Sequence, residues 1–301
     1  MGSLAWKASW GALPLHTPVE AGGRWSLATV TCMGQVGGWG HGELVAALPS
    51  WRPGSTRDVL VAFLASMVEV PILDRVAAFD NDGTLACEKP APCVRAFLAH
   101  VAPDAEPKDG HDTERLLARA LAGLTPQEAA ARAADFLAQA RHPRFQRPYT
   151  DLVYEPMRAL VHLLHRLSFT VYVVSDGSRD FLRVMAPTAY GVRPEHVIGS
   201  EARIRWVGGG LRRDGGLVPL DDGPGKPAHL WDRAGRLPLL AVGNAKGDIE
   251  LLDSAQHALL LRHDDADREY AYEDQDALSA ARTGGWTVVS MRQDFAQVFS
   301  P

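Results

Sequence analysis

The chain has 301 residues, 46% of them hydrophobic and 22% charged, with a formal net charge of −5 at pH 7. That length accommodates about two domains and a sizeable core, and the acidic balance argues against the basic face that nucleic-acid binding needs. Cys32, Cys87 and Cys93 form an odd set without a CxxC pair, which speaks against a disulfide scaffold or a cysteine zinc site.

Residues 1–49 carry Trp6, Trp10, Trp25 and Trp39 among many glycines, with no sustained period of 2 or 3.6. They read as an N-terminal extension without an assigned role. The apolar patch from Trp25 to Val36 is too short and too polar to span a bilayer. Only Lys7 and Arg24 precede it, and no clear cleavage pattern follows. The expectation is a cytoplasmic chain with no membrane partner; the residues do not specify an oligomeric state. Ser55 then reads as an N-cap with Asp58 at the third helical position, opening a helix whose apolar stripe is Val59, Leu60, Phe63, Leu64 and Met67.

Pro71 closes that segment, and the run Val76-Ala77-Ala78-Phe79 reads as a short buried strand. Asp80-Asn81-Asp82-Gly83-Thr84 follows, so Asp80 falls at the strand's C-terminal end. In open α/β sheets that edge is where ligands bind. A carboxylate there can attack a phosphoryl group, and one two residues on can manage protons. The same letters also make ordinary Asx turns.

Residues 91–148 turn helical and rich in alanine and arginine, with no evident strand. Thr125-Pro126-Gln127-Glu128 predicts a capped helix start, and the helix runs to about Ala140. Alternation then resumes. A helix over Glu155 to Leu167 leads to a strand, Thr170 to Val174, that ends in Ser175-Asp176-Gly177-Ser178. Further strands are predicted at His196 to Gly199, Leu237 to Val242, His257 to Leu261 and Thr287 to Ser290. Ile204 to Val207 and Leu217 to Leu220 flank a glycine-rich loop and read as a hairpin. Asp221 to Lys226 reads as a loop before a short helix, His229 to Ala234. This order predicts an α/β chain with a Rossmann-like, mainly parallel sheet flanked by helices. Residues 50–90 and 149–301 form its core, and 91–148 a helical insertion after the first catalytic strand.

Four strand ends or adjacent loops thus present Asp80 and Asp82, Ser175, Lys226, and Asn244 with Asp248. In order and content this resembles the haloacid dehalogenase superfamily, and within it the phosphoserine-phosphatase-like branch. The resemblance covers roughly Trp51 to the C-terminus. It makes Asp80 the nucleophile and Asp82 the acid/base, both also contributing to a Mg²⁺ site. Ser175, Asp176, Gly177, Lys226 and Glu88 become phosphate or substrate contacts, and Asn244 and Asp248 the metal-binding loop. The insertion 91–148 takes the position of the family's type 1 cap. The implied activity is Mg²⁺-dependent hydrolysis of a small phosphate monoester through an aspartyl-phosphate. A phosphomutase-like transferase and a catalytically weak binding protein of the same fold are the alternatives.

Elementary chemistry asks for the same residue types. A phosphate dianion repels a carboxylate, so a hard, oxygen-liganded cation and a lysine must offset the charge. A strand-end hydroxyl donates to the equatorial oxygens, where charge collects. Two positions depart from the family pattern: Asn244 stands where an aspartate is usual, and Asp176 where a glycine is. The first bears on metal affinity, the second on substrate choice. His263-Asp264-Asp265, after a further strand, lies close enough in the order of elements to reach the same edge.

Overall fold

The computed structural model describes residues 38–300, apart from 219 and the side chain of Val68. Helices α1 (His41–Ala46) and α2 (Ser55–Ser66) precede strand β1 (Val76–Phe79). Helices α3 (Cys93–Val101), α4 (Gly110–Ala120) and α5 (Pro126–Gln139) follow, then α6 (Glu155–Arg166) and β2 (Thr170–Ser178). Next come α7 (Arg179–Ala189), β3 (Val197–Ser200), β4 (Ala202–Val207) and β5 (Gly210–Leu217). The chain continues through α8 (Gly225–Ala234), β6 (Leu240–Gly243), α9 (Ile249–Asp253) and β7 (His257–Arg262). It closes with α10 (Gln275–Gly284), β8 (Thr287–Ser290) and α11 (Met291–Asp294). No helix among the described residues is long and apolar enough to cross a membrane.

The main sheet runs β3-β2-β1-β6-β7-β8, and every neighbouring pair is parallel. Period-2 alternation divides its side chains between two apolar layers. Ala77, Phe79, Val171, Val173, Leu240 and Val242 face one layer, with Leu60 and Leu64 of α2 and Leu160 and Leu164 of α6. Ala78, Tyr172, Val174 and Ala241 face the other, with Leu230 of α8, Leu251 of α9 and Ala277 of α10. A parallel sheet covered on both faces needs such continuous apolar strands. The chain builds outward from β1 to β3, then returns to place β6 on the other side of β1. That reversal is a topological switch point, and it opens a crevice at the C-terminal ends of β1 and β6.

Three local readings change. Ser55 is the first helical residue rather than the cap: Gly54 takes the N-cap position, and no side chain caps the helix. The hairpin's return strand begins at Gly210, not Leu217. Val207 pairs with Gly210, leaving Gly208 (φ +59°) and Gly209 (φ +82°) as a two-residue turn. Positive φ at both central residues is what a type I′ hairpin requires, so these glycines are the turn itself. Lys226 lies in the first turn of α8 rather than in a loop. Pro227, the next residue, is tolerated in a first turn because its missing N–H has no partner there to lose.

Of residues 1–49, 1–37 lie outside the described residues, and with them Cys32 and the Trp25 to Val36 patch. Leu44 of α1 and the following Leu48 are completely buried. Residues 91–148 hold α3, α4 and α5, and α5 starts on the anticipated capping box: Thr125 Oγ1 accepts from the Glu128 N–H, and the Glu128 carboxylate accepts from the Thr125 N–H. The β4–β5 hairpin packs against α4. Gly123 N–H donates to Arg213 O (2.7 Å), and Arg213 N–H donates to Leu124 O (3.0 Å).

Candidate active site

Strand β1 ends at Phe79, and the Asp80 N–H continues the ladder by donating to Val242 O of β6 (2.9 Å). Asp80 therefore sits at the mouth of the crevice, only 4% exposed. The chain then folds back on itself: Asn81 O accepts from the N–H groups of Thr84, Leu85 and Ala86. Gly83 makes this turn at φ +78°. A Cβ at Gly83 would come 2.2 Å from Asn244 Nδ2, so at this positive φ any larger residue would be strained and would push the Asn244 side chain aside.

Lys226 reaches this point from α8. Its ammonium donates to Asp80 Oδ1 (2.8 Å) and to Asp248 Oδ1 (2.6 Å), and all three side chains are buried. Asp248 Oδ2 accepts from the N–H groups of Asn244 (2.9 Å) and Ala245 (3.0 Å), closing the loop after β6. Burial and the facing Asp248 carboxylate raise the Asp80 carboxyl well above its usual range, while the Lys226 ammonium opposes them. Burial alone would lower the Lys226 pKa, but Asp248 and Asp80 hold it well above its usual value. Two carboxylates thus share one ammonium, which leaves the crevice net negative.

Strand β2 supplies Ser175, which is fully buried. Its Oγ accepts from the Gly177 N–H (3.1 Å), which leaves the hydroxyl proton for another acceptor. A Cβ at Gly177 would lie 3.3 Å from Ser175 Oγ and 3.5 Å from Asp82 Oδ2, so the strand-end loop passes directly by the second aspartate. Burial, then the Asp176 and Glu88 carboxylates, push Asp82 up to about 7. Glu88 also borders the turn: its Oε1 would lie 3.0 Å from a Gly83 Cβ. It pairs with Lys89 at 3.5 Å. The structure thus brings Asp80, Asp82, Glu88, Ser175, Asp176, Gly177, Lys226, Asn244 and Asp248 to one edge.

The first turn of α4 lies over this edge. Asp176 Oδ2 would lie 3.5 Å from a Cβ at Gly110, and His111 Nε2 approaches Asp222 Oδ2 at 3.2 Å. Glu114 is 4% exposed, and burial, then Asp176 and Asp82, raise its carboxyl well above the usual range. A cavity of about 90 Å³ lies between Asp82, Gly177 and α4. Sequence reasoning missed Glu114, although a signal existed. It shares the buried helical face of Thr113, Leu117 and Ala118, where an acid is out of place unless it has work to do.

His263 has a supporting place. Its Nε2 donates to Gly83 O (2.7 Å) and its Nδ1 meets Glu269 Oε2 (3.2 Å). Glu269 has no exposure at all, and nothing in the local sequence marked it.

Among the described residues, no three His, Cys, Asp or Glu side chains cluster as a ready metal cage. Oxygen donors are nonetheless present: the Asp80 carboxylate, the Asp82 carbonyl and the Asn244 amide. Asp248 Oδ2 accepts two N–H bonds and its Oδ1 one from Lys226, so a lone pair on Oδ1 is left beside its charge. Asn244 Oδ1 accepts from Thr84 Oγ1 (2.9 Å), while its Nδ2 is buried without a partner. Exchanging amide oxygen and nitrogen lets Thr84 Oγ1 accept and puts the oxygen at the orphaned position. This hard-oxygen set fits Mg²⁺, with one carboxylate fewer than an aspartate at 244 would give.

Residues 77–253 match the family model described as haloacid dehalogenase-like hydrolase. No curated protein matches the chain. Among solved structures, a protein of unknown function from Bordetella pertussis Tohama I is similar, at 20% identity and a TM-score of 0.51, over 72% of this chain and 98% of that one. A HAD-family hydrolase from Salmonella enterica subsp. enterica serovar Typhi gives 14% identity and a TM-score of 0.42, over 67% of each chain. A substrate-bound phosphoserine phosphatase gives 14% and 0.45, over 73% of this chain and 96% of that one.

Proposed function

The chain belongs to the haloacid dehalogenase-like hydrolase family, and from that premise we propose that it is a phosphatase acting on a small phosphate monoester through a covalent aspartyl-phosphate. The observation that carries this reading is the buried Lys226 ammonium held between Asp80 and Asp248 at the switch point. A fixed positive charge beside a strand-end carboxylate is what a phosphate dianion needs before that carboxylate can attack it.

Asp80 attacks phosphorus, and the ester oxygen departs with the proton that Asp82 donates. Asp82, now a carboxylate, takes a proton from water, and the resulting hydroxide equivalent displaces Asp80 to release inorganic phosphate. Ser175 donates its free hydroxyl proton to an equatorial oxygen, and Lys226 offsets the charge that gathers there. Mg²⁺, held by the Asp80 carboxylate, the Asp82 carbonyl and the Asn244 amide oxygen, would supply further charge neutralisation. A carboxyl pushed to about 7 suits an acid that must give up and regain a proton near neutrality. The 90 Å³ cavity beside Asp82 supports a small leaving group.

The test is turnover of p-nitrophenyl phosphate and an alkyl phosphate with added Mg²⁺. Asp82→Asn should slow alkyl phosphate by about 10²–10⁴-fold, the usual worth of a general acid. The loss on p-nitrophenyl phosphate should be smaller, because that leaving group needs little protonation. Equal losses would remove Asp82 from the acid's role.

Asp176 gives a pH prediction. Its charge disfavours ionised Asp82, so Asp176→Asn should lower the Asp82 pKa. The reaction needs Asp82 protonated, so the fall in kcat/KM with rising pH should begin at lower pH than in the wild type. A pH profile on the alkyl phosphate checks this; an unmoved or upward-shifted basic limb contradicts it.

A further inference from the structure

The loop from Asp82 to Glu88 carries two carboxylates of the site, yet its outward-facing groups are held by residues far away in sequence. The Gly83 carbonyl accepts from His263 Nε2 (2.7 Å). Since a carbonyl cannot donate, that ring nitrogen must carry a proton. The other nitrogen faces Glu269 Oε2 at 3.2 Å. Glu269 Oε1 in turn accepts from Cys87 Sγ (3.0 Å) and from Tyr154 OH (3.2 Å). One fully buried carboxylate is therefore tied to both ends of the loop: to Gly83 through His263, and to Cys87 directly.

That support is itself fixed. Tyr272 N–H donates to His263 O and Glu269 N–H to Asp265 O, closing the segment on itself. Arg144, just beyond the helical insertion's last helix, donates to Glu269 O (2.7 Å) and Ala266 O (2.9 Å). The Tyr272 ring stacks on His263 at 4.2 Å between centroids. A buried carboxylate and imidazole with partners at every turn are costly to assemble unless they hold something. The group they hold is the turn that aims Asp82.

We propose that Glu269 is a positioning residue: acting through His263 on Gly83 and through Cys87, it orders the 82–88 loop and keeps Asp82 aimed at the leaving group. This rests on the phosphatase reading for its catalytic consequence but not for the loop ordering itself. Misplacing a reacting group by about 1 Å costs on the order of 10²-fold, and the cost here should fall mainly on the acid's step.

The experiment compares His263→Leu, His263→Gln and Glu269→Gln with the wild type. His263→Gln places an amide N–H close to where Nε2 stands, so it should restore much of what His263→Leu loses. In His263→Leu, kcat on an alkyl phosphate should fall about 10–10²-fold, with a much smaller fall on p-nitrophenyl phosphate and little change in KM. Glu269→Gln keeps the shape and weakens the hold, and should fall between. Amide hydrogen exchange over residues 83–87 should quicken in the same order. Unchanged exchange, or equal losses on both esters, overturns the proposal. A wild-type protein that cleaves neither ester yet shows the graded exchange would refute the phosphatase reading and leave the loop ordering supported.

Discussion

Asp80→Asn should lower kcat by about 10⁴–10⁶-fold, the scale on which an enzyme loses rate when a member of its nucleophilic unit is removed. The amide keeps the carboxylate's shape but is a far weaker nucleophile. Folding should survive, because Asp80 and Asp248 compete for one ammonium in a buried site and removing one charge relieves their repulsion. Acid-quenched single turnovers with radiolabelled substrate separate the outcomes. The wild type should trap label as an acyl phosphate on residue 80 and the variant should trap none. Label on another residue, or turnover close to wild type, would show that Asp80 is not the nucleophile.

Lys226→Met should cost about 3–5 kcal/mol of stability, the range for removing one partner of a buried ion pair, together with nearly all activity. Methionine fills the space but leaves the Asp80 and Asp248 carboxylates facing each other without a counter-charge. Urea unfolding measures the first effect, and ester turnover the second. The double variant Lys226→Met with Asp248→Asn should regain part of the stability, since one carboxylate becomes neutral, and none of the turnover. If Lys226→Met unfolds at the wild-type midpoint, the ammonium is not what holds α8 against the end of β1.

The strand-end positions were legible because each is announced locally. An apolar run stops, and a carboxylate or hydroxyl follows at once, as at Phe79-Asp80 and Val174-Ser175. Order along the chain then supplied the rest of the edge, including Lys226, even though its helix was drawn four residues short. What stayed illegible depends on contacts across long separations. Glu269 meets Cys87 across 182 residues and Tyr154 across 115, and no period or cap connects them. The hairpin failed differently. A run of glycines reads as a loop because glycine weakens strands, yet here two glycines make the turn and the next forms the first rung of the ladder.

The Gly123–Arg213 and Arg213–Leu124 backbone bonds have a consequence for how such a protein can be recombined. They join the helical insertion to a hairpin encoded more than fifty residues after it ends. Arg213, 3% exposed, also carries its guanidinium to Asp180 at the start of α7. A crossover anywhere between residues 148 and 202 would part the backbone partners, and one between 180 and 202 would also part Arg213 from Asp180. A host whose hairpin sits differently leaves the Gly123 amide and the Leu124 carbonyl unmatched, at about 1–3 kcal/mol apiece if buried, and a crossover after Asp180 strands the Arg213 guanidinium wherever the host has no acid at that place. The heritable module is therefore the two segments together, and viable chimaeras with sister proteins should inherit both or neither.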